Sequence, residues 1–160
     1  MKIKIILLSV FLALPGLAKA ELIKGDILAG VGAGFTIHGG AFDGQAAGEY
    51  YYKNNISFLM NFDTFANSSG AVFNFQPAAR YHFNIKEAPK LTPFLGIGLG
   101  AFVNNHGNGG LSIAAPDFGL DYNVARNVYL YSNIDFLHLT DFDGYEWTFK
   151  WTVAGVKFKF

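Results

Sequence analysis

The sequence predicts an all-β protein, an eight-stranded antiparallel up-and-down transmembrane β-barrel that follows a cleaved signal peptide. Three observations predict it. Apolar residues recur at every second position in one segment after another, and no segment shows a convincing helical period. Short clusters of turn residues separate these segments, as hairpins require. The alternate face carries glycine in some segments and charge in others, and charged residues make up only 15% of the chain, against roughly 25% in an ordinary soluble domain.

Residues 1–20, MKIKIILLSVFLALPGLAKA, set Lys2 and Lys4 before an apolar run from Ile5 to Leu14, a Pro-Gly break and Ala18-Lys19-Ala20. A basic start, a short apolar core and an A-x-A end form a secretory signal. The run is too short for a membrane-spanning helix, which needs about 20 apolar residues. The mature barrel domain is therefore expected over 21–160.

In the first strand segment, 26–37, Ile27, Ala29, Val31, Ala33, Phe35 and Ile37 alternate with Gly30, Gly32 and Gly34. Segment 43–52 places Gln45, Glu49 and Tyr51 on one face. In 55–65, Ile56, Phe58, Met60 and Phe62 oppose Ser57, Asn61 and Asp63. In 71–84, Phe73, Phe75, Tyr81 and Phe83 oppose Asn74, Gln76, Arg80 and His82. In 91–103, Leu95, Ile97, Leu99 and Val103 face away from Gly96, Gly98 and Gly100. Segment 110–122 changes parity between Ile113 and Phe118, and Pro116 near the change predicts a bulge. In 128–139, Leu130, Ile134 and Phe136 oppose Tyr131, Asn133 and Asp135. In 148–160, Phe149, Trp151 and Val153 lie on one parity and Val156, Phe158 and Phe160 on the other, which predicts a second bulge near Gly155.

A strand of about ten residues, tilted, crosses a bilayer, with apolar side chains outward and polar ones inward. Eight strands leave a lumen only wide enough for side chains to fill. Gly30, Gly32, Gly34, Gly96, Gly98 and Gly100 then read as lumen-facing gaps, and Glu49, Asp63, Arg80, Asp117, Asp121, Asp135 and Lys157 as a lumen polar network, a charge-paired plug that leaves at most a very narrow pore. A dinucleotide-binding loop would need G-x-G-x-x-G opening a helix, and neither glycine run has that spacing.

The segments "LTPFLGIGLG" (91–100), "FGLDYNV" (118–124) and "GVKFKF" (155–160), in this order, resemble the small outer-membrane β-barrels of Gram-negative bacteria, the superfamily of the opacity-like, OmpA-transmembrane-like and OmpW-like proteins. The resemblance covers nearly all of 21–160. It implies a cell outer-membrane location, contact with outer-membrane lipid and lipopolysaccharide, and a monomer. It implies that Phe158 and Phe160 form the assembly signal read by the barrel-assembly machinery. It also implies periplasmic turns at 53–55, 85–90 and 123–127 and extracellular connections at 38–42, 66–70, 104–109 and 140–147. Those outer connections are short and hold few charges, which weighs against an adhesin or receptor.

Balanced charge, with 12 Lys plus Arg against 12 Asp plus Glu, excludes the basic face that nucleic acid requires. There is no cysteine, and His38, His82 and His106 are scattered, so neither metal nor cofactor is expected. The alternative to a non-enzymatic barrel is a lipid A-modifying one. Lipid A deacylases, also small barrels, use a His-x-Ser pair with a downstream acid; His138 and Thr140 share the spacing, with Asp141 or Glu146 as the acid. Thr replaces Ser, no Asn follows, and His138 shares the lipid-facing parity of Phe136, so it reads as a rim histidine. A secreted lipocalin-like carrier would need an apolar interior, which the inward charges oppose. Tyr145, Trp147, Trp151 and Tyr50 to Tyr52 read as aromatic girdles.

Overall fold

The computed structural model describes residues 22–37, 40–68, 70–140 and 147–160. Eight strands run in chain order: β1 (Ile27–Thr36), β2 (Phe42–Lys53), β3 (Ile56–Asn67), β4 (Gly70–His82), β5 (Leu91–Asn104), β6 (Gly109–Ala125), β7 (Val128–Leu139) and β8 (Trp147–Lys159). Each is antiparallel to its sequence neighbours, and β1 also pairs with β8, which closes the barrel. Closure leaves no unpaired strand edge, the condition for a sheet to sit in hydrocarbon. One end of the barrel holds Leu22, the first described residue, Phe160, and the turns at 54–55, 83–90 and 126–127. The other, the loop end, holds the remaining connections.

The alternation is inside out relative to a soluble barrel. Val31, Phe62, Ile97, Leu99 and Leu111 are each more than half exposed, while Asp43, Ser57, Ser112, Asp121 and Thr152 have no exposed surface. Exposed apolar bands would be an aggregation hazard in water. Facing lipid, they are the surface that holds the protein in place.

Both expected bulges are present. On β6, Ala114 and Asp117 pair with Leu137 and Asp135, so Ala115 and Pro116 stand where β7 has the single residue Phe136, and both point outward. On β8, Ala33 pairs with Ala154 but Gly34 pairs with Thr152, so Val153 is the extra residue. An extra residue flips the parity of everything beyond it. The inward set of β8 therefore passes from Lys157 and Gly155 to Thr152, Lys150 and Thr148.

Candidate functional site

Because β1 and β5 present glycine inward, long side chains from neighbouring strands can lie down across them. A Cβ on Gly30 would stand 2.8 Å from Cγ of Lys157, one on Gly96 2.8 Å from Cγ of Arg80, and one on Gly98 3.0 Å from Cγ of Gln76. Gly34 and Gly100 sit against the backbone of Trp151 and Phe75. Tyr131 reaches furthest. From β7 its ring covers Gly155 of β8, its hydroxyl overlies Gly32 of β1, and that hydroxyl donates to Oε1 of Gln45 on β2 at 3.0 Å. The glycines are therefore grooves for the side chains that bridge the lumen.

Three cations organise those bridges. Lys157 Nζ lies 2.9 Å from Glu49 Oε2 and 2.8 Å from Asp121 Oδ1, joining β8 to β2 and β6. Arg80 Nε on β4 meets Asp117 Oδ2 on β6 at 2.6 Å, with its guanidinium carbon 4.1 Å from the centre of the Phe94 ring. Lys150 Nζ lies 2.9 Å from Asp63 Oδ1 and 2.7 Å from Asp135 Oδ2, joining β8 to β3 and β7. Neutral side chains complete the shells. Ser57 donates to Glu49 at 2.5 Å, Asn61 and Asn74 to Asp63, and Asn133 to Asp117 and Asp135. Between the charged groups, Gln45 accepts from Thr152 at 3.1 Å and donates to Asn61 at 2.8 Å. These carboxylates, cations and bridging amides are all buried.

All of the lumen residues expected from the sequence lie on the inward face, but two of the carboxylates pair with a cation outside that set. Asp63 and Asp135 share Lys150, which the sequence reading omitted, and neither pairs with Arg80 or Lys157. Lys150 lies beyond the β8 bulge, and carrying the inverted parity through that bulge would have found it. His82, read as one of several scattered histidines, is buried 3.2 Å from Glu49. Tyr51 is corrected as well. Tyr50 and Tyr52 are outward, as a girdle requires, but Tyr51 is wholly buried and bonded to His82 at 3.2 Å, because alternation allows only every second residue of the run to face lipid.

The lumen is not polar throughout. At the loop end Ala41, Phe65, Val72, Leu137 and Leu139 line a pocket of about 110 Å³. Directly below it Asp43, the register partner of Phe65, is buried with both carboxyl oxygens lacking a hydrogen-bond partner. At the opposite end Leu22 and Leu28 pack with Tyr51 and Tyr129.

Among the described residues, His138 and Thr140 each contact other groups. The imidazole lies against Trp147, ring centres 4.3 Å apart, on the outward face, while the Thr140 hydroxyl donates to the Leu111 carbonyl at 3.1 Å. Asp141, Tyr145 and Glu146 lie outside the described residues, as do His38 and residues 1–20, where the signal is expected. Among the described residues no cluster of histidine and carboxylate has the arrangement to hold a metal ion.

No family model and no curated protein matches the chain in sequence. Solved structures do match it. Neisserial surface protein A is similar with a TM-score of 0.67 at 18% identity, over 84% of this chain and 96% of that one. OprG, an outer membrane protein of Pseudomonas aeruginosa, matches at 0.60 and 9% identity over 89% and 99% of the two chains. Ail, the attachment invasion locus protein of Yersinia pestis, matches at 0.55 and 16% over 86% and 100%. At these identities the likeness is one of fold: the chain is a closed eight-stranded antiparallel barrel with the architecture of the small outer-membrane barrels.

Proposed function

We propose that this chain is an integral outer-membrane protein without enzymatic activity, a structural barrel whose lumen is closed to all but the smallest ions. The observation that carries the reading is the set of lysine bridges. From β8, Lys150 reaches Asp135 on the neighbouring β7 and Asp63 on β3, three strands away, and Lys157 reaches Glu49 on β2 and Asp121 on β6, each two strands away on opposite sides. An interior only as wide as its side chains, once spanned in this way, has no room for an open channel. The outer-membrane location is supported by the outward apolar bands, by the signal-like residues 1–20 and by the fold shared with OprG. The hydroxyl of Thr140, committed to a backbone carbonyl, offers no activated nucleophile, which favours the non-enzymatic reading.

Planar-bilayer recording tests it. The refolded protein is expected to give no steady ohmic steps on the scale of an open porin. Large, stable steps that appear with each insertion would overturn the closed-lumen reading.

The last two aromatics offer a separate test. Phe158 is half exposed, and Phe160 is 80% exposed, tied to the barrel by its N–H donating to the Ile27 carbonyl at 2.9 Å. A side chain so little packed contributes little to the stability of the folded barrel. We infer that Phe160 acts in recognition by the assembly machinery. Its deletion should lower insertion in cells while leaving refolding in detergent within about 0.5 kcal/mol of wild type. Equal insertion with and without Phe160 would refute the role.

A further inference from the structure

Among the described residues, the exposed basic side chains are segregated to one end of the barrel. The end that holds Leu22 and Phe160 carries Lys24, Lys53, Lys86 and Arg126, all exposed and absent from the ion pairs of the described residues. Among the described side chains the acids there do not balance them: Asp26 is engaged by Lys159 at 2.7 Å, which leaves Glu87. At the loop end the connections 37–41, 68–69, 105–108 and 140–146 contain no Lys or Arg at all, and the last holds Asp141, Asp143 and Glu146. The near-zero net charge of the chain thus conceals a polarity along the barrel axis.

Outward aromatics at the basic end fix its depth. Tyr50, Tyr52, Tyr81 and Phe83 are exposed on the barrel wall there. Aromatic belts of this kind sit at the boundary between hydrocarbon and headgroups. Lys53 continues outward from that belt, its ammonium 5.8 Å from the centre of the Tyr52 ring. The cations therefore stand at headgroup height, just beyond the apolar band, where a lipid phosphate is the nearest available counter-charge.

We propose that this basic collar is a docking surface for anionic phospholipid headgroups in the leaflet at the end of the barrel that holds Leu22 and Phe160. The collar recognises phosphate by charge, with several flexible donors around the rim, so it selects the class of lipid and not one headgroup structure. The loop end, without Lys or Arg, offers no matching site for the phosphates of the opposite leaflet.

The proposal rests on the membrane-spanning reading, and one experiment separates the two. The protein is folded into phosphatidylcholine vesicles that contain a minor fraction of phosphatidylglycerol, and spin-labelled versions of both lipids report which is held at the protein surface. Failure to fold into any vesicle would defeat the membrane reading itself. With folding intact, phosphatidylglycerol is expected to be enriched about fivefold over phosphatidylcholine, falling towards parity at high salt. The variant K24Q/K53Q/K86Q/R126Q should fold, because these side chains are exposed, and should lose the enrichment; K24R/K53R/K86R should retain it. Equal enrichment in wild type and the glutamine variant would overturn the proposal. So would enrichment abolished by excess soluble glycerol phosphate, which would make free phosphate the ligand instead of lipid.

Discussion

Replacing Lys150 with methionine is expected to destabilise the barrel by about 3–5 kcal/mol, the cost of leaving a buried charge without its partner. The size follows from what is left behind. Lys150 is the cation shared by Asp63 and Asp135, both buried, and Asp43 nearby already lacks a hydrogen-bond partner. An exposed ion pair would contribute about 0–1 kcal/mol, because water replaces the lost partner. Here no water-exposed surface remains on the lysine to supply that replacement. Denaturant unfolding in detergent micelles, followed by the shift of the folded band on an unheated gel, measures the loss. The triple variant K150M/D63N/D135N should recover much of it, since removing a whole buried network costs far less than breaking it. An unfolding midpoint unchanged in K150M alone would mean that the lumen is hydrated and the plug idle, and the closed-pore reading would fall with it.

The course of the eight strands was readable because a membrane barrel imposes one rule on every residue: apolar outward, polar or small inward. That rule placed Glu49, Arg80 and Lys157 on the inward wall, and its two violations, near Pro116 and Gly155, coincide with the bulges. What alternation could not supply is which inward residues meet. Pairing across a lumen depends on the stagger between strands and on side-chain reach, and neither leaves a periodic trace in the sequence. Asp63 and Asp135 lie on β3 and β7, far apart in the chain, and only closure brings both to Lys150. The apolar mouth went unread for a related reason. Leu137 and Leu139 share the inward parity of Asp135, and a face judged polar as a whole conceals a change of character at its end. The glycines were legible as small, but the side chains that use the space were not.

That use of space makes the second large prediction. Gly155→Ala is expected to cost about 2–4 kcal/mol: overpacking of about 1–3 kcal/mol, plus about 1 kcal/mol for a strained tyrosine hydrogen bond. The added methyl would fall within the Tyr131 ring, against Cε1 and Cζ and 2.8 Å from Cδ1. The ring is held from moving aside at both ends. Its backbone belongs to β7, its hydroxyl is anchored on Gln45, and Lys157 Nζ lies 4.9 Å from the ring centre on its way to Glu49 and Asp121. A double-mutant cycle separates this account from a simple loss of glycine flexibility. Tyr131→Ala alone removes the side chain that covers Gly32 and Gly155 and should be destabilising. Added to Tyr131→Ala, however, Gly155→Ala should cost almost nothing, giving an interaction energy of about 2–4 kcal/mol, the whole cost of the single substitution. Strictly additive costs would show that the ring has room to shift and that Gly155 is not its groove. Coupling of the expected size would link the local rule to the behaviour of the whole barrel. A side chain that crosses two strands to reach a third closes the lumen only because glycine lies beneath it, and Y131A, measured in the planar bilayer, should then conduct more than the wild type.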